Sequence, residues 1–199
     1  METIRGKTSL ALNWNELKDR LASYNHITLD LGTGDGRFVR TLAERQPERF
    51  LIGVDACREN MREHSRAHHP NMLFVIACAL KLPCEFEGLF SHVTINFPWG
   101  SLLEGLLACD ARLMHGLATV SGPNAKIEIH LNGDALAKAG SSLEEGAGII
   151  YENLNRCGWD LQPPHPMDQD VLKTFPTTWA RRLAHGRDPR AMVLHGRRA

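Results

Sequence analysis

The chain has 199 residues, 23 Lys+Arg against 23 Asp+Glu, and a formal net charge of zero at pH 7. That length suits one domain spanning residues 1–199 with a sizeable core, and the ordinary composition excludes a disordered or fibrous chain. No apolar run approaches the ~18 residues of a membrane span, and the first residues carry no segment of signal-peptide type. The five cysteines (Cys57, Cys78, Cys84, Cys109, Cys157) form no Cys-x-x-Cys pair. They point to a reducing, cytoplasmic setting, with neither a disulfide framework nor a metal site. A monomer is expected.

Residues 3–12 alternate weakly about Arg5-Gly6-Lys7 and predict a short hairpin. Asn13 and Glu16 stand at capping-box spacing, and Trp14, Leu17 and Leu21 follow at helical intervals. Residues 1–24 thus read as a hairpin-and-helix extension. The run His26–Leu31 then breaks into Gly32, Gly34 and Gly36. This is a buried strand entering a tight turn, with a helix expected from Arg37 to Arg45, before Pro47. Glycines there permit positive φ and close approach of a ligand, and the helix start offers free N–H groups. The arrangement suits a nucleotide-type pocket at the end of a first core strand.

The second core strand, Phe50–Val54, ends on Asp55, a position suited to ribose hydroxyls or to capping the next helix. A helix from Arg58 would set Arg58, Arg62 and Arg66 on one face, as a solvated surface or a second basic contact. Met72–Ile76 is the third strand, and the small residues of Ala77-Cys78-Ala79 let a flat base lie against the backbone. Phe90–Ile95 is the fourth and runs into Asn96-Phe97-Pro98-Trp99-Gly100. Beyond it the pattern predicts a helix over 101–118, a turn at Ser121–Asn124 and a strand at Lys126–His130. Residues 132–148 read as loop with a short helix, and Ile149–Cys157 as a helix closed by Gly158. A strand at Trp159–Gln162, helices at Asp168–Thr174 and Thr178–His185, and a last strand at Ala191–Leu194 complete the chain. The alternation predicts a Rossmann-like α/β fold, with a mostly parallel seven-stranded sheet and helices on both faces.

Charge is unevenly spread. The end of the chain collects Arg181, Arg182, Arg187, Arg190, Arg197 and Arg198 against Asp188 alone. A local basic patch on a neutral chain is either a solvated tail or the footprint of a polyanion. Trp99, after a proline at a strand end, is either a core residue or a face on which a base stacks.

Asp30, two residues before three alternate glycines, departs from the dinucleotide spacing G-x-G-x-x-G. The pattern resembles motif I of the S-adenosylmethionine-dependent methyltransferases, where a carboxylate can balance the ammonium of the cofactor's methionine end. Asn96-Phe97-Pro98-Trp99 is similar to the Asn/Asp-Pro-Pro-aromatic loop of amino-methyltransferases that act on DNA and RNA. Jointly, Asp30–Arg37, Phe97–Leu103 and Thr177–Arg187 resemble the aminoglycoside-resistance 16S rRNA (adenine(1408)-N1)-methyltransferases, in order along the chain.

The resemblance implies methylation of adenine N1 in the decoding-site helix of 16S rRNA within the small ribosomal (30S) subunit, blocking aminoglycosides such as kanamycin and apramycin. It implies a target base held between Trp99 and Trp179; Asn96 is expected as the third catalytic position, orienting the exocyclic amine of that base together with backbone carbonyls. It implies cofactor contacts at Asp30, Gly32, Gly34, Asp55, Ala79 and Leu80, along Asn96, Phe97, Pro98, Trp99, Gly100 and Ser101, and at Thr177, Thr178 and Trp179. Arg182 and Arg187 match arginines that lie against RNA, Arg190 takes over a neighbouring basic position, and Arg62 and Arg66 stand in a shortened basic linker. No metal is implied. The tRNA guanine-N7 methyltransferases share a similar fold and Phe-Pro-aromatic loop, but Thr-Thr-Trp-Ala-Arg-Arg argues against them.

Overall fold

The computed structural model describes residues 1–186 and 189–199. Its centre is a sheet whose strands are β1 (Glu2–Arg5), β2 (Thr8–Ala11), β3 (His26–Leu31), β4 (Arg49–Asp55), β5 (Met72–Ile76), β6 (Phe90–Asn96), β7 (Ser121–Asn132), β8 (Trp159–Leu161), β9 (His165–Pro166) and β10 (Ala191–Arg198). Their order is β2-β1-β5-β4-β3-β6-β7-β10-β8, with β9 paired to β10. The run from β5 to β7 is parallel, and β10 enters antiparallel between β7 and β8. The expected seven core strands are thus present. The hairpin β1–β2 also joins the sheet, by antiparallel pairing of Thr3 with Val75, which the sequence reading did not anticipate.

The helices are α1 (Trp14–Leu21), α2 (Arg37–Arg45), α3 (Arg58–Met61), α4 (Gly100–Leu107), α5 (Ala111–Val120), α6 (Gly133–Lys138), α7 (Leu143–Arg156), α8 (Gln169–Thr174) and α9 (Thr178–Ala184). The alternation of β-strand side chains divides the core between the faces. Val93, Ile95, Ile127 and Ile129 pack with Leu103, Leu106, Leu113, Leu117, Ile150 and Leu154 from α4, α5 and α7. On the other face Leu51, Met72 and Phe74 meet Val39 and Ala43 of α2. A third cluster joins Phe97, Met167, Leu172, Ala180 and Leu183, and so holds α8 and α9 against the loop after β6.

Several sequence expectations are corrected. The helix expected over 101–118 is two helices, broken where Cys109 takes φ +52° and Asp110 caps α5 through Arg112 N–H. The expected turn at Ser121–Asn124 is the start of β7, with a register shift against β6 between Phe90 and His92. The short helix expected within residues 132–148 is α6, and the helix expected from Ile149 starts earlier, as α7 at Leu143, with Asn132 and Ser142 as the two N-caps. Gly146 is needed in α7 because a Cβ there would run into Leu136 of α6. The arginine-bearing helix ends at Met61 and gives way to a 3-10 turn at His64–Arg66. Tertiary structure overrides the helical spacing here: Ser65 Oγ accepts the Gly6 N–H of the hairpin at 2.9 Å and is buried with His64.

β3 is the topological switch point. The chain leaves it toward β4 and β5 on one side and returns to β6 and β7 on the other. A crevice at the carboxyl ends of β3 and β6 is the expected ligand position in such a sheet.

Candidate active site

The turn after β3 has Gly32, Gly34 and Gly36 all at positive φ (+75°, +57° and +79°). Two of these glycines also make room. A Cβ on Gly32 would lie 2.6 Å from Leu102 Cδ2, and one on Gly36 2.5 Å from Phe74 Cε1. Gly34 has nothing within 4 Å of that position, which leaves its side of the turn open to a ligand. Asp55 ties the turn to β4: its Oδ2 accepts the Gly34 N–H at 2.9 Å and its Oδ1 accepts the Cys57 N–H at 2.8 Å. Asp55 is therefore not the cap of α3, where Cys57 stands. Burial raises its pKa above the ordinary carboxylate value. Asp35 ties the turn to α9 by accepting the Thr178 hydroxyl at 2.5 Å.

Asp30 is 1 % exposed. Its Oδ1 accepts Thr94 Oγ1–H at 3.0 Å and Asn96 Nδ2–H at 2.8 Å, and its Oδ2 accepts Thr33 Oγ1–H at 2.6 Å. Burial pushes its pKa up to about 6, against the pull of those three donors. A carboxylate offers about four lone-pair positions, so Oδ2 keeps one for a further donor. Asn96 is committed as well. With Nδ2 on Asp30, its Oδ1 faces His130 Nδ1 at 2.9 Å. Both ends of the Asn96 amide are thus tied into this network.

The loop after β6 turns sharply. Phe97 sits at φ +52°, its N–H donates to His130 O at 2.8 Å, and its ring is buried in the α8–α9 cluster. A non-glycine residue at positive φ is a strained choice of the kind that gathers at functional sites. The turn leaves Trp99 half-buried at the cavity wall, with its indole N–H buried and meeting no acceptor among the described residues. Trp179, on α9, stacks directly on it with centroids 4.9 Å apart and planes 26° apart. Lys138 Nζ lies 4.6 Å from the Trp99 centroid and the Arg182 guanidinium 5.3 Å from that of Trp179. Each indole of the pair thus also has a cation over its ring.

These elements enclose one cavity of about 540 Å³, within the range of small-molecule sites. Of the residues expected at a cofactor, Asp30, Gly32, Gly34, Asp55, Ala79, Asn96, Phe97, Pro98, Trp99, Ser101, Thr177, Thr178 and Trp179 line it. Leu80 and Gly100 do not: Leu80 turns away into the core and Gly100 opens α4 at the surface. The Thr177 hydroxyl caps α9 by accepting Ala180 N–H at 2.9 Å. Sequence reasoning missed Thr33, Phe38, Asn60, Leu102 and the sealing role of Asp35. Thr33 and Asp35 stand inside the glycine motif and Leu102 inside the Phe97–Leu103 segment, whereas Phe38 and Asn60 carried no such signal.

The basic candidates separate. Arg182 lines the cavity, and with Arg37, Thr178, Arg181 and His185 it lines a second, adjacent one of about 320 Å³. Arg62 is held by Glu59 at 2.9 Å and Arg190 faces Glu144 at 3.4 Å. Arg66 is exposed, its stem lying over Gly6 of the hairpin. Arg187 falls outside the described residues. Among them no cluster of His, Cys, Asp or Glu is suited to a metal ion.

The family model described as NpmA: 16S rRNA (adenine(1408)-N(1))-methyltransferase matches residues 2–198. The chain belongs to this family. It is 29% identical over 205 residues to a 16S rRNA (adenine(1408)-N(1))-methyltransferase of Escherichia coli, covering 94% of each chain. The crystal structure of the 16S rRNA methyltransferase KamB superposes with a TM-score of 0.90 at 26% identity over 100% of both chains. That of the aminoglycoside resistance methyltransferase NpmB1 gives 0.82 at 29% identity, over 100% of this chain and 99% of the other. The Rossmann-like methyltransferase fold expected from the sequence is the fold observed.

Proposed function

We propose that this chain uses S-adenosylmethionine to methylate N1 of one adenine in the decoding-site helix of 16S rRNA, within the assembled small ribosomal subunit, and so confers aminoglycoside resistance. The observation that carries this reading beyond family membership is the stack of Trp99 on Trp179, at the wall of the same cavity that the glycine turn, Asp30 and Asp55 enclose. The residues present suit the cofactor. Asp30 keeps an acceptor position for an ammonium group, Asp55 lies at the strand end where ribose hydroxyls bind, and Gly34 and Ala77–Ala79 leave the backbone open to a flat base.

S-adenosylmethionine, when bound, supplies a methyl group on a sulfonium. Adenine N1 brings its own lone pair, so the chain has no proton to remove before attack. Its task is positioning and exclusion of water. An aromatic face contributes about 1–3 kcal/mol per stacked base, and two indoles fix the plane of the base. Indole faces also favour the positive charge that arises on the base as the methyl group arrives. The base must leave its duplex to enter, and the indoles must part, since rings in direct contact leave no room between them. Arg37, Arg181, Arg182 and His185 beside Trp179 suit the phosphates flanking a flipped nucleotide.

The test is primer extension on 16S rRNA after incubating purified small subunits, with tRNA as competing substrate, and kanamycin and apramycin resistance in an expressing host. The expected result is a single stop at the decoding-site adenine with resistance to both drugs. Modification of tRNA alone would overturn the assignment.

A further inference from the structure

We propose that His130 is a positioning residue for the cofactor site, acting through Asn96 on Asp30. The proposal rests on the cofactor reading of Asp30 given above. Asp30 accepts Asn96 Nδ2–H at 2.8 Å, and a carboxylate can only accept, so the amide nitrogen must face it. The amide oxygen is then the atom that meets His130 Nδ1 at 2.9 Å, and Nδ1 must carry the hydrogen. The placement is set by register: Asn96 and His130 are partners in the parallel pairing of β6 and β7. His130 is 3 % exposed, with its ring 4.4 Å from Phe175 and 5.8 Å from Phe97 between centroids, so it has little freedom to turn.

Its far nitrogen, Nε2, faces Glu128 Oε1 at 3.2 Å, a hydrogen bond when the ring carries a hydrogen on Nε2 as well as on Nδ1. Glu128, held below its ordinary pKa first by that bond, also feels His92 on β6 and His195 on β10. Asp55 is the charged neighbour of Asp30 from β4. A continuous line therefore runs from half-exposed Glu128 through His130 and Asn96 to buried Asp30. Without the His130 donor the Asn96 amide can rotate, and Asp30 loses one of the three donors that keep it ionised.

The two ring nitrogens can be separated by substitution. Asparagine places an amide N–H near the position of Nδ1, and glutamine places one near Nε2. His130→Asn keeps a donor for Asn96, whereas His130→Gln keeps one for Glu128. His130→Phe keeps the ring against Phe175 and has no donor. S-adenosylhomocysteine binding is measured by calorimetry from pH 5.5 to 8 on each folded variant. One lost bond to a charged group predicts affinity reduced about tenfold at pH 7 for the Gln and Phe variants. It also predicts a decline with acidification that begins at higher pH than in the wild type. The Asn variant should stay close to wild type although it leaves the larger void. In an Asn96→Ala background, His130→Gln should have no further effect.

Gln or Phe variants that match wild type in affinity and pH profile would overturn the proposal. So would an Asn variant no better than Gln, or a full loss on the Asn96→Ala background. Wild-type protein that fails to bind S-adenosylhomocysteine would overturn the cofactor reading itself, and the positioning role with it.

Discussion

Asp30→Asn should make the ligand-free protein more stable at neutral pH while removing its hold on the cofactor. In the folded chain Asp30 is pushed from 3.8 up to about 6, first by burial, although Thr33, Thr94 and Asn96 all donate to it. The native state then binds more protons than the unfolded state between those two values, so this group makes stability fall as pH rises from about 4 to about 6. Below that window both states are protonated and the penalty is absent; above it the penalty is complete. The interval corresponds to about 3 kcal/mol. An asparagine, whose shape matches the protonated acid, should recover at most that amount at pH 7.5 and almost nothing at pH 4. For a chain of this length the gain is a rise in melting temperature of up to about 6–12 °C. Thermal unfolding followed by circular dichroism at both pH values reads it directly. Adding S-adenosylhomocysteine should raise the melting temperature of the wild type and leave the variant unmoved. A variant no more stable than wild type at pH 7.5, or equally stabilised at pH 4, would refute the reasoning about burial.

Trp179→Ala removes one face of the stack, while Ala180, Leu183 and the Thr177 cap still hold α9. Methylation of small subunits should fall in kcat/KM by about 5–150-fold, the kinetic equivalent of about 1–3 kcal/mol, with S-adenosylhomocysteine affinity nearly unchanged; undiminished methylation would count against the clamp. Gly36→Ala combines φ +79° with a Cβ 2.5 Å from Phe74 Cε1, and should lower stability by about 2–4 kcal/mol in urea unfolding. An unaltered urea midpoint would show that Phe74 yields freely. Arg181→Ala and Arg182→Ala should each reduce the salt dependence of subunit binding by about one unit of log–log slope. Filter binding across a salt series measures this, and an unaltered slope would remove the phosphate assignment.

The parallel core was legible because each of its strands is an apolar run ending in residues that do something else: glycines after Leu31, an acid after Val54, small residues after Ile76, Asn-Phe-Pro-Trp after Ile95. The cavity is assembled from those ends, which is why most of its lining was found from the chain alone. Lateral relations were not legible. Nothing local in the sequence connects His130 with Asn96, since strand register brings them together. Residues 132–148 suggested a loop with only a short helix, and the packing reason for Gly146 inside α7, Leu136, lies on a neighbouring helix. Arg58, Arg62 and Arg66 had helical spacing, but burial of His64 and Ser65 against the hairpin decided the backbone there.

The paired indoles also give the protein an optical property. Transitions in two rings 4.9 Å apart are electronically coupled, and the other two tryptophans stand apart from them, Trp14 on the surface and Trp159 in the core. A molecule that slides between Trp99 and Trp179 breaks that coupling and replaces it with its own. The near-ultraviolet dichroism of the unlabelled protein should therefore follow base entry in real time, separately from the slower appearance of methylated product.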